Sequence, residues 1–211
     1  MYWLGIDPGQ SGASLLLSPD GRPVFLWAWR SRINYGAAFF ECFYLHMRGE
    51  NRKVAAPTLG RVGWEIQQSL VGERVKGFGL AVEAPYISRI NPSVGLTVAI
   101  QTGAIAGPLE EHSSGSMIMV KAEEWRRSLL DMKITTKRDA AKEASLSRMP
   151  PRIPGLITLL ERLASLQGAT IQTLDHVTDS AGVAEYGLLR RWEQRDADRK
   201  SKRRSRRKKS I

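Results

Sequence analysis

The chain has 211 residues, 42% of them hydrophobic, enough for one globular domain with a full core and some extension. Its net charge of +11 is concentrated at one end: residues 199–211 hold nine Lys or Arg and no acid, so the rest of the chain is close to neutral. No apolar run approaches the ~20 residues of a membrane span, Met1 leads straight into a strand-like segment with no leader pattern, and the single cysteine, Cys42, excludes an intrachain disulfide, which together predict a cytoplasmic protein.

The segment YWLGID reads as a strand that ends in Asp7, and PGQSG as the turn after it. ASLLLS and PVFLWAW are the next two strands, joined at Asp20-Gly21, a strong hairpin signal. The long apolar stretch from Tyr35 to Met47 predicts a helix, as does the stretch from about Gly60 to Val71. GFGLAVEAP predicts a buried strand that carries Glu83 and stops at Pro85. A helix with small residues on one side (Gly95, Ala99, Gly103, Ala106) follows, then SMIMVK as a fifth strand. AEEWRRSLL is a short helix. TTKRDAAKEASLSRM is another, with Thr135 or Thr136 as its cap, and MPPRIPG breaks the pattern. GLITLLERLASLQG is helical, and a last helix runs from Asp175 to Trp192 with Asp175 as N-cap. The order predicts an α/β fold, a five-stranded mixed sheet with helices on both faces. Residues 1–192 form the domain, and residues 193–211 a basic, disordered tail.

Charged groups at the ends of buried strands draw attention. Asp7 before Pro-Gly also suits a plain turn. Glu83 inside LAVEAP is costly to bury unless it is paired with an Arg or bound to metal. His176 and Asp179 are three apart, hence on one face of a helix. His176 alone reads equally as a satisfied core histidine, and Asp175 fits either a ligand or, preferably, a cap. Oxygens with one imidazole suit Mg²⁺, or Mn²⁺, which tolerates the nitrogen better. Two such ions suit in-line displacement at phosphorus. No Cys/His spacing for structural zinc is present. The tail reads as a solubilising end or as a tether that releases counterions from phosphates.

GIDPG, the VE segment with an aromatic three residues after the Glu, and the late H-x-x-D followed by small residues resemble the RuvC-type Holliday junction resolvases, in order over most of residues 1–192. The resemblance implies an RNase H-like fold in which the strands ending in Asp7 and Glu83 lie side by side. It implies Asp7, Glu83, His176 and Asp179 as catalytic metal ligands for two Mg²⁺ (or Mn²⁺) ions. His176 stands where many members have Asp. Tyr86, Arg126 and Lys137 fall at the family's DNA-contacting positions, with packing and solvated helix charge as their plain alternatives. The implied protein is a homodimer that nicks four-way DNA junctions in pairs, its dimer surface on the helix after Glu83. The basic tail, with Arg203, Arg204, Arg206 and Arg207, and the long segment 148–170 depart from the family core. The alternatives are a broader nuclease of forks, flaps or RNA–DNA hybrids, and a non-catalytic DNA-binding protein of this fold. A nucleotide cofactor is not expected, because no second phosphate loop or adenosine-binding Gly pair is visible.

Overall fold

A computed structural model describes residues 1–34, 36–85, 92–114, 117–133, 136–171 and 174–208, with the side chains at 92, 94, 138, 195, 196 and 198–208 outside that description. Five strands come first: β1 (Tyr2–Asp7), β2 (Ser11–Leu17), β3 (Pro23–Asn34), β4 (Ala37–His46) and β5 (Asn51–Ala56). Then follow α1 (Leu59–Gly72), β6 (Phe78–Glu83), α2 (Pro92–Glu110) and β7 (Met117–Val120). The chain finishes with α3 (Ala122–Leu130), α4 (Arg138–Arg152), α5 (Leu156–Gln167) and α6 (Asp175–Lys208). The strands form one sheet in the order β5-β4-β3-β2-β1-β6-β7. β1 to β5 are an antiparallel meander, whereas β6 is parallel to β1 and β7 to β6.

Two apolar layers cover the sheet. On one face Leu4, Ile6, Trp27, Trp29 and Val82 pack against Val62 and Ile66 of α1 and Ile105 and Leu109 of α2. On the other, Trp3, Leu15, Leu26, Phe43 and Ala81 pack against Trp125 of α3, Met149 of α4, Leu159 of α5 and Val177 and Ala181 of α6. This is the α/β arrangement expected, with helices on both faces.

The sheet has seven strands and not five. The predicted helix at Tyr35–Met47 is β4, bonded to β3 on one side and β5 on the other. A strand buried on both faces loses its apolar–polar alternation, and FFECFYLHM then reads as a continuous run. Its period of two survives only in the core partition: Cys42 and Tyr44 enter one layer, Phe43 and Leu45 the other. β5, NRKVAA, is a polar edge strand that the sequence pattern did not mark at all. Cys42 is fully buried, and burial pushes its thiol up to about 12, so it is an inert packing group.

Three helix ends also differ. α4 starts after Lys137, not at a Thr cap: Thr136 turns its hydroxyl back to the Lys133 carbonyl, and Thr135 lies outside the described residues. α4 carries Pro150 and Pro151 in its last turn, where buried Met149 and Ile153 anchor the backbone in the core, and the break comes at Gly155 with φ +95. α6 continues past Trp192 to Lys208, through a stretch rich in Lys and Arg, both good helix formers.

Candidate active site

β1 and β6 are parallel neighbours in the register Ile6↔Val82, so Asp7 and Glu83 end adjacent strands at the same edge of the sheet. Side chains alternate along a strand. Trp3, Gly5 and Asp7 therefore share a face with Ala81 and Glu83, the face that α6 crosses. α6 comes unusually close because glycines let it. A Cβ on Gly5 would sit 2.2 Å from the Ser180 carbonyl and 2.7 Å from the Ala184 methyl. Gly187 lies under the Trp3 ring and Gly182 under the Trp125 ring. The approach at Ser180 fixes the height of Asp179, the residue before it, over the strand ends.

α3 clamps this arrangement from the side. The Trp125 indole N–H donates to Glu83 Oε2 at 3.1 Å, and Arg126 Nη2 donates to Asp179 Oδ2 at 2.6 Å. The Arg126 guanidinium lies 5.0 Å from the Trp125 ring centre, which holds the two side chains as one unit. Lys142 of α4 forms an ion pair with Asp175.

The electrostatics show how crowded the acids are. Burial raises Asp7 well above the usual carboxylate range, and the charges of Glu83, Asp179 and Asp175 raise it further, against Arg126. Burial and Asp179 push Glu83 up to about 7, against Arg126 and the Trp125 bond. Burial also raises Asp179 and outweighs Arg126, which pulls it down. Burial lowers His176 to about 4, so its imidazole is neutral and free to donate a lone pair.

The chemistry of the donors, carboxylates with an imidazole nearby, suits a divalent cation. Asp179 Oδ1 is buried and makes no well-formed hydrogen bond, although the Ser145 hydroxyl lies near enough to pull the carboxyl down, and its other oxygen is held by Arg126. A buried carboxylate oxygen without a well-formed hydrogen bond is costly, and a cation shared with Asp7 and Glu83 would satisfy it while relieving their mutual repulsion. Asp7, Glu83 and Asp179 would hold such an ion, with Asp175 and His176 at the margin. Among the described residues, no group of three or more His, Cys, Asp or Glu is placed so that it could hold a metal ion as it stands, so the carboxylates would have to close around one.

The expected residues divide as follows. Asp7, Glu83 and Asp179 are brought together. His176 lies one turn before Asp179 on α6, and the charges it senses are those of Asp175 and Lys142. Asp175 is not the N-cap: it is the first residue inside α6, where an acid suits the helix dipole, and its carboxylate goes to Lys142. Arg126 is part of the site and no solvated helix charge. Lys137 is exposed at the start of α4. Tyr86 lies outside the described residues, as do the side chains of Arg203, Arg204, Arg206 and Arg207. Trp125 and Lys142 were missed. The i,i+4 pair Trp125 and Leu129 marks the buried face of α3 and could have placed Arg126 at its border.

No protein-family model matches the chain, and no curated protein matches it. Solved structures similar to it include two of RuvC. The Thermus thermophilus RuvC structure is 16% identical, with a TM-score of 0.44 over 92% of this chain and 97% of that one. The structure of T. thermophilus RuvC in complex with a Holliday junction substrate is 15% identical, with a TM-score of 0.41 over 87% and 90%.

Proposed function

We propose that this protein is a metal-dependent endonuclease of DNA, and at its most specific a resolvase of four-way junctions that works as a homodimer with two Mg²⁺ or Mn²⁺ ions per site. The observation that carries the reading is the meeting of Asp7, Glu83 and Asp179 from three distant segments as buried carboxylates that raise one another, one of them with an oxygen that makes no well-formed hydrogen bond. A divalent cation there supplies charge neutralisation and Lewis acidity toward a phosphodiester. The chain's own residues do the positioning. Trp125 fixes one oxygen of Glu83 and Arg126 one oxygen of Asp179, which would leave the others for a cation. The low-dielectric setting that raises these carboxylates also strengthens every charge interaction with a bound phosphate. Tyr86 would stack on an unpaired base, and Lys137 and the tail arginines 203, 204, 206 and 207 would neutralise phosphates.

The test is cleavage of a synthetic four-way junction, a fork, a flap and an RNA–DNA hybrid, each with Mg²⁺ and with Mn²⁺. Paired nicks in the junction, above all other substrates, are expected. Cutting of all branched substrates at similar rates would reduce the reading to a general structure-selective nuclease. Binding without cutting under either metal would leave a DNA-binding protein.

The dimer surface proposed is the outer face of α2. Leu96 and Ile100 are 61% and 65% exposed, and Gly103 and Gly107, which continue the same face, have open space above them. Large exposed aliphatics beside small residues on one helix face suit a close helix partner. Replacing Ile100 by Asp should convert a dimer into a monomer in light scattering, with an unchanged circular dichroism spectrum. A parent protein that is monomeric at tens of micromolar would refute this surface.

A further inference from the structure

The two strands that the fold adds, β4 and β5, carry charge to the edge of the sheet where the carboxylates lie. β2 begins at Ser11, paired with Arg30, so Ser31–Asn34 of β3 run past β2; Ser31 still donates its N–H to the Gln10 carbonyl, and Arg32–Asn34 pair only with β4. Because β2 is antiparallel to β1, this overhang leaves the sheet at the Asp7 and Glu83 edge. It extends roughly 13 Å beyond β2, at about 3.3 Å per residue.

The faces also match. Ala28 lies in the core layer beneath α6, so Arg30 and Arg32, two and four residues on, share the face of Asp7 and Glu83. The contacts agree: the Arg30 guanidinium is 5.4 Å and Lys53 Nζ 5.6 Å from the centre of the Phe43 ring, a member of that same layer. The helices leave this part of the face open. α5 is bound at the other end of β4, where Arg162 donates to the His46 carbonyl. The side chains of Arg32 and Lys53 are 48% and 64% exposed.

One acid sits among three cations. Glu41 accepts from Arg30 at 2.6 Å, Arg32 at 3.3 Å and Lys53 at 2.6 Å, and its side chain is only 14% exposed. Burial pushes the Glu41 carboxyl up, but Lys53, Arg30 and Arg32 override it and hold it at about 2. A single carboxylate neutralises one of the three charges, so the group keeps two positive charges in a fixed array. It also fixes where three long side chains point, which lowers the entropy lost when they meet a ligand.

We infer that Arg30, Arg32 and Lys53, organised by Glu41, form a phosphate-binding shelf for the DNA duplex arm that leads into the carboxylate site. The shelf spans β3 to β5, two strand spacings or about 10 Å, and starts two spacings from β1. A duplex carries one phosphate charge per ~1.7 Å of axis, so an arm lying there offers about six phosphates to the three cations. Backbone contacts of this kind set register and orientation and carry no sequence information. A shelf beside the cleavage site would therefore aim the scissile phosphate at Asp7, Glu83 and Asp179, whereas the C-terminal tail can supply only affinity. The inference rests on the DNA-cleaving role proposed above.

The experiment uses the full chain in EDTA, a fluorescein-labelled DNA duplex and binding measured by anisotropy across salt concentrations. The variants are Arg32→Gln/Lys53→Gln, Lys53→Gln alone, and a charge-matched control, Arg22→Gln/Lys76→Gln. Arg22 precedes β3 and Lys76 precedes β6, so the control lies at the opposite edge of the sheet. The slope of log affinity against log salt should fall by about 2 in the shelf double variant and by about 1 in the single one. Between about 50 and about 200 mM salt, the double variant should lose roughly tenfold less affinity than the parent. The control should keep the parental slope. Equal slopes in all four proteins, or an equal fall in shelf and control, would overturn the shelf and leave the nuclease reading intact. A parent that binds no duplex at low salt would remove both. Lys53 is exposed on an edge strand, so its single variant reports even if the double variant folds poorly.

Discussion

Asp7→Asn should abolish DNA cleavage, by roughly 10³-fold or more, while the protein still binds DNA and melts at a higher temperature than its parent in EDTA. The two effects have one cause. Asp7 is held among Glu83, Asp179 and Asp175 in a setting that penalises its charge, and removing that charge relieves the crowding. Active-site groups of this kind are retained for function at the expense of stability. Glu83→Gln makes the same point with a pH axis. The Glu83 carboxyl stands near 7 in the fold against a reference value of 4.5. Between those values the folded chain holds a proton that the unfolded chain has lost. Stability from this group is therefore full below about 4.5 and is lost as pH rises through about 7, amounting to roughly 3 kcal/mol. In EDTA the parent should weaken over that window in urea titrations, and Glu83→Gln should weaken much less. A Glu83→Gln variant as pH-sensitive as its parent, or an Asp7→Asn variant that still cuts, would show that the carboxylates do not act as this crowded set.

The parts of this site that were legible in the sequence share a physical signature. Asp7 and Glu83 each interrupt or end an apolar run, which is costly without a compensating partner, and they are adjacent because their strands are parallel neighbours. Asp179 was legible through its spacing from His176 and the small residues after it. The clamp was harder to see. Trp125 and Arg126 reach Glu83 and Asp179 only because α3 is laid beside α6, and no local spacing in AEEWRR encodes that contact. Lys142 and Asp175 meet across 33 positions for the same reason, and so a residue read as a helix cap turned out to be an ion-pair partner. β4 was misread as a helix because burial on both faces erases the alternation that distinguishes strands. The misreading hid part of the surface around the carboxylates, since β4 and β5 carry Glu41 and Lys53 to the sheet edge where Asp7 and Glu83 end.

Gly5→Ala should be the most damaging small substitution in the chain. The added methyl would lie 2.2 Å from the Ser180 carbonyl, 2.5 Å from the Ala184 nitrogen and 2.7 Å from the Ala184 methyl. Two of those three atoms are backbone, so no side-chain rotation relieves the clash, and α6 itself must move off the sheet. Overpacking of this kind costs about 1–3 kcal/mol, and more where a whole helix is displaced. The displacement cannot be confined to Gly5, because Gly187 over Trp3 and Gly182 under Trp125 seat the same helix at two further points. Asp179 precedes Ser180, so the movement that accommodates the methyl draws Asp179 away from Asp7 and Glu83, and strains its bond to Arg126. The expected result is a protein destabilised by at least about 2 kcal/mol in urea that cuts DNA far more slowly even under conditions where it is fully folded. Gly103→Ala on α2, with open space above it, supplies the comparison: it should leave cleavage per dimer unchanged and raise monomer stability by up to about 1 kcal/mol. Full activity in folded Gly5→Ala would mean that the distance between α6 and β1 does not set the geometry of the carboxylates.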